Sequence, residues 1–310
     1  MDALESEIYL RYKSLIEAEG MTVPSNLNRE PRCVHLADIL DSYDAFCFDG
    51  YGTLYNRGDF IYPGAVEWYV ELRKAGKFLR LVTNAASNTV DVLAKEAADR
   101  GFNFSAEETI SSGSLLKNFV DDFRGKSGAS GLGNATKATV RELRQVFYIG
   151  RETGKNVLQE CNIEAVENPQ EPIVAVSSST ATPEMYRHAV EILKKPGALL
   201  LVLNSDAWAP KIDGSREPVS GALSERLRRE SDCGVRYFGK PFPAIWQQVR
   251  ESLPAGSRVL MIGDTLGTDV YGAYVAGFDS ALIVGRNVPA ADLAGDEMAL
   301  GIRPTYYLEP

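Results

Sequence analysis

The chain has almost no histidine. Of its 310 residues only His35 and His188 are histidines, and neither lies in a recognisable motif. A serine–histidine hydrolase or a histidine-rich metal centre would have to use one of these two, so any chemistry falls to carboxylates. Cysteine is scarce as well: Cys33, Cys47, Cys161 and Cys233. No two are spaced as Cys-x-x-Cys, which leaves zinc and redox motifs without support. Cys47 lies in an apolar run and reads as a core residue. This cysteine usage fits a reducing cytosol, so a cytoplasmic location is expected. Positive charge is in deficit, 33 Lys and Arg against 42 Asp and Glu, for a formal net charge of -9. That excludes the basic face a nucleic-acid partner requires. It does not exclude an anionic substrate, because a bound cation can reverse the local field. No apolar run approaches the ~18 residues of a membrane helix. The first residues, Met-Asp-Ala-Leu-Glu-Ser-Glu, are acidic, so neither a membrane span nor a signal peptide is expected.

What is present is an ordinary globular composition, 45% hydrophobic and 24% charged, long enough for two domains. The organising stretch is Ala45-Phe46-Cys47-Phe48-Asp49-Gly50-Tyr51-Gly52-Thr53-Leu54. An apolar run of strand length ends in an aspartate, and glycines stop it. Asp49 is therefore expected at the carboxyl end of a strand, on the edge where open α/β sheets bind ligands. Taken alone, the stretch is equally well a strand and a tight turn capped by Asp49.

Three later stretches repeat the pattern. Phe78 to Val82 is apolar and ends in Thr83-Asn84. Val235 to Phe238 is a short strand running into Gly239-Lys240-Pro241. Val259 to Ile262 ends in Gly263-Asp264, with Asp269 five residues further on. In this order the four motifs resemble the haloacid dehalogenase superfamily. Within it the chain is similar to the NagD-like branch of phosphatases, which includes pyridoxal phosphate phosphatases. The resemblance runs over nearly the whole chain. It implies an α/β fold: a doubly wound parallel-sheet, Rossmann-like core with an inserted α/β cap.

Residues 4 to 18 have helical spacing, and residues 21 to 40 read as a lead-in packed on the core. Strand, loop, helix and strand from residue 45 to 82 make a βαβ unit, hence a parallel sheet. Residues 124 to 137 hold four glycines and read as a linker. Gly125-Lys126-Ser127 is no P-loop, since position 120 is valine where a glycine is required. Residues 138 to 234 show a second βα rhythm, with strands at 146–149, 173–176 and 199–203 and a helix from Pro183 capped by Thr182. The expected division is thus a core of residues 1–123 and 235–310, a linker at 124–137 and a cap at 138–234. The resemblance also leaves room for a homodimer formed through the cap.

The resemblance assigns roles. Asp49 would be the nucleophile, forming an aspartyl-phosphate. Asp49, the backbone carbonyl of Tyr51 and Asp264 would hold Mg²⁺, with Asp269 as an indirect partner. Oxygen-only donors of this kind suit that ion, and three convergent acids without a cation would repel one another. Thr83 and Asn84 would donate to the phosphate, and Lys240 would neutralise charge on the nucleophile and the transferring group. Gly50 and Gly52 would let the backbone approach the phosphate. Trp208, in the segment Asn204 to Pro210 that overhangs the site in relatives, would either stack on a planar substrate or fill the hinge. The substrate implied is a small phosphorylated metabolite.

Two departures matter. Ser177-Ser178-Ser179-Thr180 stands where relatives more often carry a glycine and an aspartate. Tyr51 stands where the phosphatases carry the aspartate that protonates the leaving oxygen and then activates water. Haloacid dehalogenases carry tyrosine there, which makes 2-haloacid dehalogenation an alternative. The acidic fourth motif and the large cap favour a phosphatase. A weakly active or non-catalytic relative that binds a phosphorylated metabolite is a third reading.

Overall fold

A computed structural model describes residues 1, 3–21, 23–125 and 138–309. Fourteen strands are formed among them: β1 (Arg32–Val34), β2 (Ala45–Phe48), β3 (Phe78–Thr83), β4 (Thr109–Ser111), β5 (Gln145–Ile149), β6 (Glu164–Ala165), β7 (Ile173–Val176), β8 (Leu199–Val202), β9 (Trp208–Pro210), β10 (Arg216–Pro218), β11 (Gly234–Tyr237), β12 (Val259–Gly263), β13 (Asp279–Leu282) and β14 (Tyr306–Leu308). They build a seven-stranded sheet in the order β1-β14-β13-β12-β2-β3-β4, a five-stranded sheet in the order β11-β8-β7-β5-β6, and the β9–β10 hairpin. Every ladder of the two larger sheets is parallel. Parallel sheets need both faces covered. Accordingly β2, β7, β8 and β12 are apolar runs buried along their whole length.

Register places the motifs. Phe48 pairs with Ile262 on one side and with Leu81 on the other. The next residues, Asp49, Gly263 and Val82, therefore stand side by side at the carboxyl ends of β2, β12 and β3, with Asp264 and Thr83 next to them in the chain. Helices cover the flanks, among them Ala65–Lys74, Val90–Ala98 and Pro243–Glu251. The Pro183–Leu193 helix is capped as its sequence predicts, with Thr182 accepting from the Met185 amide at 3.2 Å.

Two features were not legible in advance. Arg32–Val34 is an edge strand on β14, so the lead-in contributes to the sheet as well as packing on it. Gly234–Tyr237 joins the five-stranded sheet beside β8, and the chain returns to the other sheet only after Tyr237. The 124–137 linker lies, beyond Gly125, outside the described residues.

The N-terminal helix Ala3–Ala18 spans the junction of the two sheets. Ile8, Tyr9, Tyr12 and Ile16 share one apolar cluster with Val174 and Val202 of the five-stranded sheet and Leu266 and Tyr271 of the other side. Tyr12 packs edge-on against Tyr237 and tilted against Phe242, and its hydroxyl donates to the Ser205 carbonyl at 2.9 Å. Tyr9 leaves no room for a side chain at Gly267, where a Cβ would stand 2.3 Å from its ring.

Candidate active site

Between the carboxyl ends of β2 and β3 and the five-stranded sheet lies a cavity of about 480 Å³. Asp49, Tyr51 and Thr83 line its floor, with Ser177 to Thr180 and Arg151 on the opposite wall.

Beneath the floor, Asp49 joins a compact buried charge cluster. The Lys240 ammonium donates to Asp49 Oδ1 at 2.6 Å and to Asp269 Oδ1 at 2.7 Å, and the lysine is 1% exposed. Asp269 Oδ2 accepts from the amides of Asp264 and Thr265, at 3.2 and 3.1 Å. Asp264 Oδ1 accepts from the Thr265 hydroxyl at 2.9 Å, but its Oδ2 is buried without a partner. Asp49, Asp264 and Asp269 each offer an oxygen within 4.8 Å of the others.

Burial lifts the Asp49 carboxyl to about 7, against the pull of Lys240. Asp264 is raised well above the ordinary range, by burial first and then by Asp49 and Asp269. Burial opposes the charge on Lys240, yet Asp269, Asp49 and Asp206 together hold its pKa above the usual lysine value. One ammonium cannot answer this many buried carboxylates. An orphaned carboxylate oxygen beside two further acids fits a divalent cation with oxygen ligands. Asp269 is the poorest ligand of the three, because both of its oxygens are already engaged.

Gly52 shows how tightly the turn is drawn in. Its φ is +98°, and a Cβ there would lie 2.0 Å from Asp264 Oδ2. Arg286 holds the same turn, donating to the carbonyls of Gly52, at 2.8 Å, and Thr53, with its guanidinium 3.8 Å from the Tyr62 ring centroid. At Gly50 the crowding partner is the Tyr55 hydroxyl, 2.8 Å from a built Cβ.

The remaining expected residues divide. The Thr83 hydroxyl accepts from the Ala85 amide at 3.2 Å, so its proton is free for the cavity. Asn84 is fully spent inside the protein. Its amide donates to Ser205 Oγ, Asp206 Oδ1 and the Lys240 carbonyl, and its Oδ1 accepts from the Lys240 amide at 2.7 Å. Donation from its side chain to a phosphate does not fit that arrangement. Trp208 stays out of the cavity lining, where Ala209 and Pro210 stand instead, and packs against the apolar cluster of the N-terminal helix. Of its two readings, the hinge-filling one is what this packing supports. Tyr51 reaches across the floor to Glu96 Oε2 at 3.3 Å and sets its ring edge-on against Tyr55. Burial raises its pKa above the ordinary tyrosine value, and Glu96 adds to the rise.

Sequence reasoning passed over Asp206, Glu96 and Arg286. Asp206 had a signal, since like Asp49 it closely follows an apolar parallel strand. Glu96 and Arg286 had none, because helix and loop positions gain meaning only from what folds against them.

Comparison with known proteins agrees with this geometry. The family model described as haloacid dehalogenase-like hydrolase matches residues 46–164, and a second, HAD-hydrolase-like, matches residues 237–309. The chain belongs to the haloacid dehalogenase-like hydrolases. It is 28% identical to chronophin of Mus musculus over 284 residues, covering 88% of this chain and 92% of that one. It is 26% identical to the D-glycerol 3-phosphate phosphatase of Mycobacterium tuberculosis, covering 87% and 70%. Its fold is shared with a protein from Cytophaga hutchinsonii described as a possible sugar phosphatase, at a TM-score of 0.74, 22% identity and coverage of 90% and 98%. It is also shared with a glycerol phosphate phosphatase from Mycobacterium tuberculosis solved in complex with magnesium, at a TM-score of 0.65, 24% identity and coverage of 87% and 76%.

Proposed function

We propose that this hydrolase is a Mg²⁺-dependent phosphatase that acts on a small phosphorylated metabolite through an aspartyl-phosphate on Asp49. The observation that carries the reading is the floor itself: Lys240 bridging Asp49 and Asp269 beside an orphaned Asp264 oxygen. The magnesium complex of a protein with this fold and the phosphatase names of the glycerol 3-phosphate phosphatase relatives support it.

Lys240 fixes Asp49 through Oδ1, which leaves Oδ2 as the attacking atom. A bond forms from Oδ2 to phosphorus while the bond from phosphorus to the ester oxygen breaks, and that oxygen departs with its electron pair and gains a proton. Water then attacks phosphorus and returns Asp49 as a carboxylate. Asp49, Asp264 and the Tyr51 carbonyl would hold the ion, which supplies positive charge between nucleophile and phosphate. The Thr83 hydroxyl donates to a phosphate oxygen, and the buried, pre-paired Lys240 offsets charge without reorganising.

Tyr51 makes this a slow enzyme for poor leaving groups. A tyrosine whose pKa burial has raised is a weak base for water, and departing alkoxides lose an acid worth ~10²–10⁴-fold. The same residue keeps a weakly active phosphate-binding role as the second reading.

The test is a panel of phosphate esters and 2-haloacids with and without Mg²⁺. Ester turnover that EDTA abolishes and Mg²⁺ restores is expected. Haloacid turnover that survives exhaustive chelation would replace phosphatase with dehalogenase.

A further inference from the structure

The far wall of the cavity is charged in the opposite sense to its floor. Three guanidiniums line the cavity, but Arg57, which pairs with Glu217, and Arg100 come from the segments that follow β2 and β3, on the floor's side, and Arg151 alone stands on the far wall. Arg100 donates to the carbonyls of Gly58 and Glu96 and rests 5.1 Å from the Tyr55 ring centroid. Arg151, in the loop after β5, is exposed and has no ion-pair partner among the described residues. Its loop is held in place, since the Tyr148 hydroxyl contacts both the Arg151 carbonyl, at 3.2 Å, and Ser177 Oγ, at 2.5 Å. That ties Arg151 to the polar run after β7, where Ser178 and Thr180 share a hydrogen bond of 3.0 Å at the cavity surface.

A guanidinium without a carboxylate partner, near hydroxyl donors, is anion-binding chemistry. The transferring phosphate does not need it, because that group meets Lys240 and the cation at Asp49, on the other sheet. Resting on the phosphatase reading above, we infer that the substrate is a phosphate monoester bearing a second anionic group, which docks on Arg151 and the hydroxyls of Ser178 and Thr180. Discrimination of this kind is well paid in rate only where a polar wall is left unpaired by the wrong substrate.

The experiment uses matched pairs on the Mg²⁺-loaded enzyme, with 4-nitrophenyl phosphate as a reference ester. 3-Phosphoglycerate and glycerol 3-phosphate differ by a carboxylate in place of a carbinol. Fructose 1,6-bisphosphate and fructose 6-phosphate differ by a second phosphate. In at least one pair kcat/KM is expected to favour the acidic member by ~10-fold or more, and the pair that does so tells carboxylate from phosphate. Arg151→Gln should bring that ratio close to one, mainly through KM, and Arg151→Lys should restore part of it. Equal rates within both pairs, or a ratio that Arg151→Gln leaves intact because every ester slows alike, would overturn the inference while leaving the phosphatase reading standing. No turnover of any ester, the reference included, would overturn both.

Discussion

The floor and the far wall of one cavity are built on opposite rules. On the floor, Lys240, Asp264 and Asp269 are at most 2% exposed, and nearly every polar atom has a fixed partner. On the wall, Arg151, Ser179 and Thr180 are exposed and loosely bonded. The floor can stabilise developing charge because its dipoles are already oriented and water is excluded. The wall can select among substrates because its donors are still unspent. On the proposed reading, chemistry and recognition come from different sheets, and the substitutions below should separate them.

The largest effect belongs to the floor. Asp49→Asn removes the proposed nucleophile and should lower turnover by at least ~10³-fold for every ester, acidic or neutral. The fold should survive, because the variant deletes a buried carboxylate whose charged form burial already disfavours. Lys240→Met should be equally inactive but far less stable. It leaves Asp49, Asp269 and Asp206 without their shared cation, and breaking a buried charge network typically costs ~3–5 kcal/mol. Urea denaturation of the two variants is the check. Equal stability would mean that Lys240 is not what keeps the acids buried.

This contrast marks how far the sequence could be read. The strand ends were legible because parallel strands are apolar along their length and stop at a polar residue, as at Phe48-Asp49 and Ile262-Gly263-Asp264. Adjacent register then brings those ends together with no further information. The partners of Asn84 and the choice between the two readings of Trp208 were not legible, for one shared reason. Both residues lie where the two sheets meet, and their partners, Ser205 and Lys240 for Asn84 and the N-terminal helix for Trp208, come from remote parts of the chain. The edge strand Arg32–Val34 was hidden likewise, since three residues at the rim of a sheet carry no periodicity of their own.

A middle-sized effect is expected at Tyr51, the position where the family resemblance implies an aspartate. Good leaving groups need little protonation, so an aryl phosphate should give a burst of about one product per site, then slow hydrolysis of the aspartyl-phosphate. Alkyl phosphates should be held earlier, at departure, and show no burst. Tyr51→Asp supplies a carboxylate and should speed turnover of alkyl esters by ~10-fold or more, a fraction of full acid–base help. The gain is limited because the variant also gives up the ring contact with Tyr55 and sets a second acid near Glu96. Fast alkyl turnover without a burst in the wild type, slowed by Tyr51→Asp, would show that another group moves the proton.

The smallest effect concerns Asp206, the acid that lies between the two regimes. It lines the cavity, is tied by Asn84 at 2.8 Å, and burial lifts its pKa to about 6 against the pull of Lys240. A carboxyl whose pKa is higher folded than unfolded favours the native state most when protonated. Its contribution is therefore best below about 4 and is lost as the pH rises through about 6. Asp206→Asn cannot titrate and can keep the hydrogen bond to Asn84 by turning its amide oxygen toward it. The variant should match the wild type near pH 4 and melt about 2–4 °C higher near pH 8, a shift of the size ~1 kcal/mol produces in a chain of this class. The comparison is made with the metal chelated throughout, so that ion release at low pH does not enter. A difference that is flat across pH, or that favours the wild type at pH 8, would mean that the attraction of Lys240 outweighs burial and that Asp206 belongs with the saturated floor.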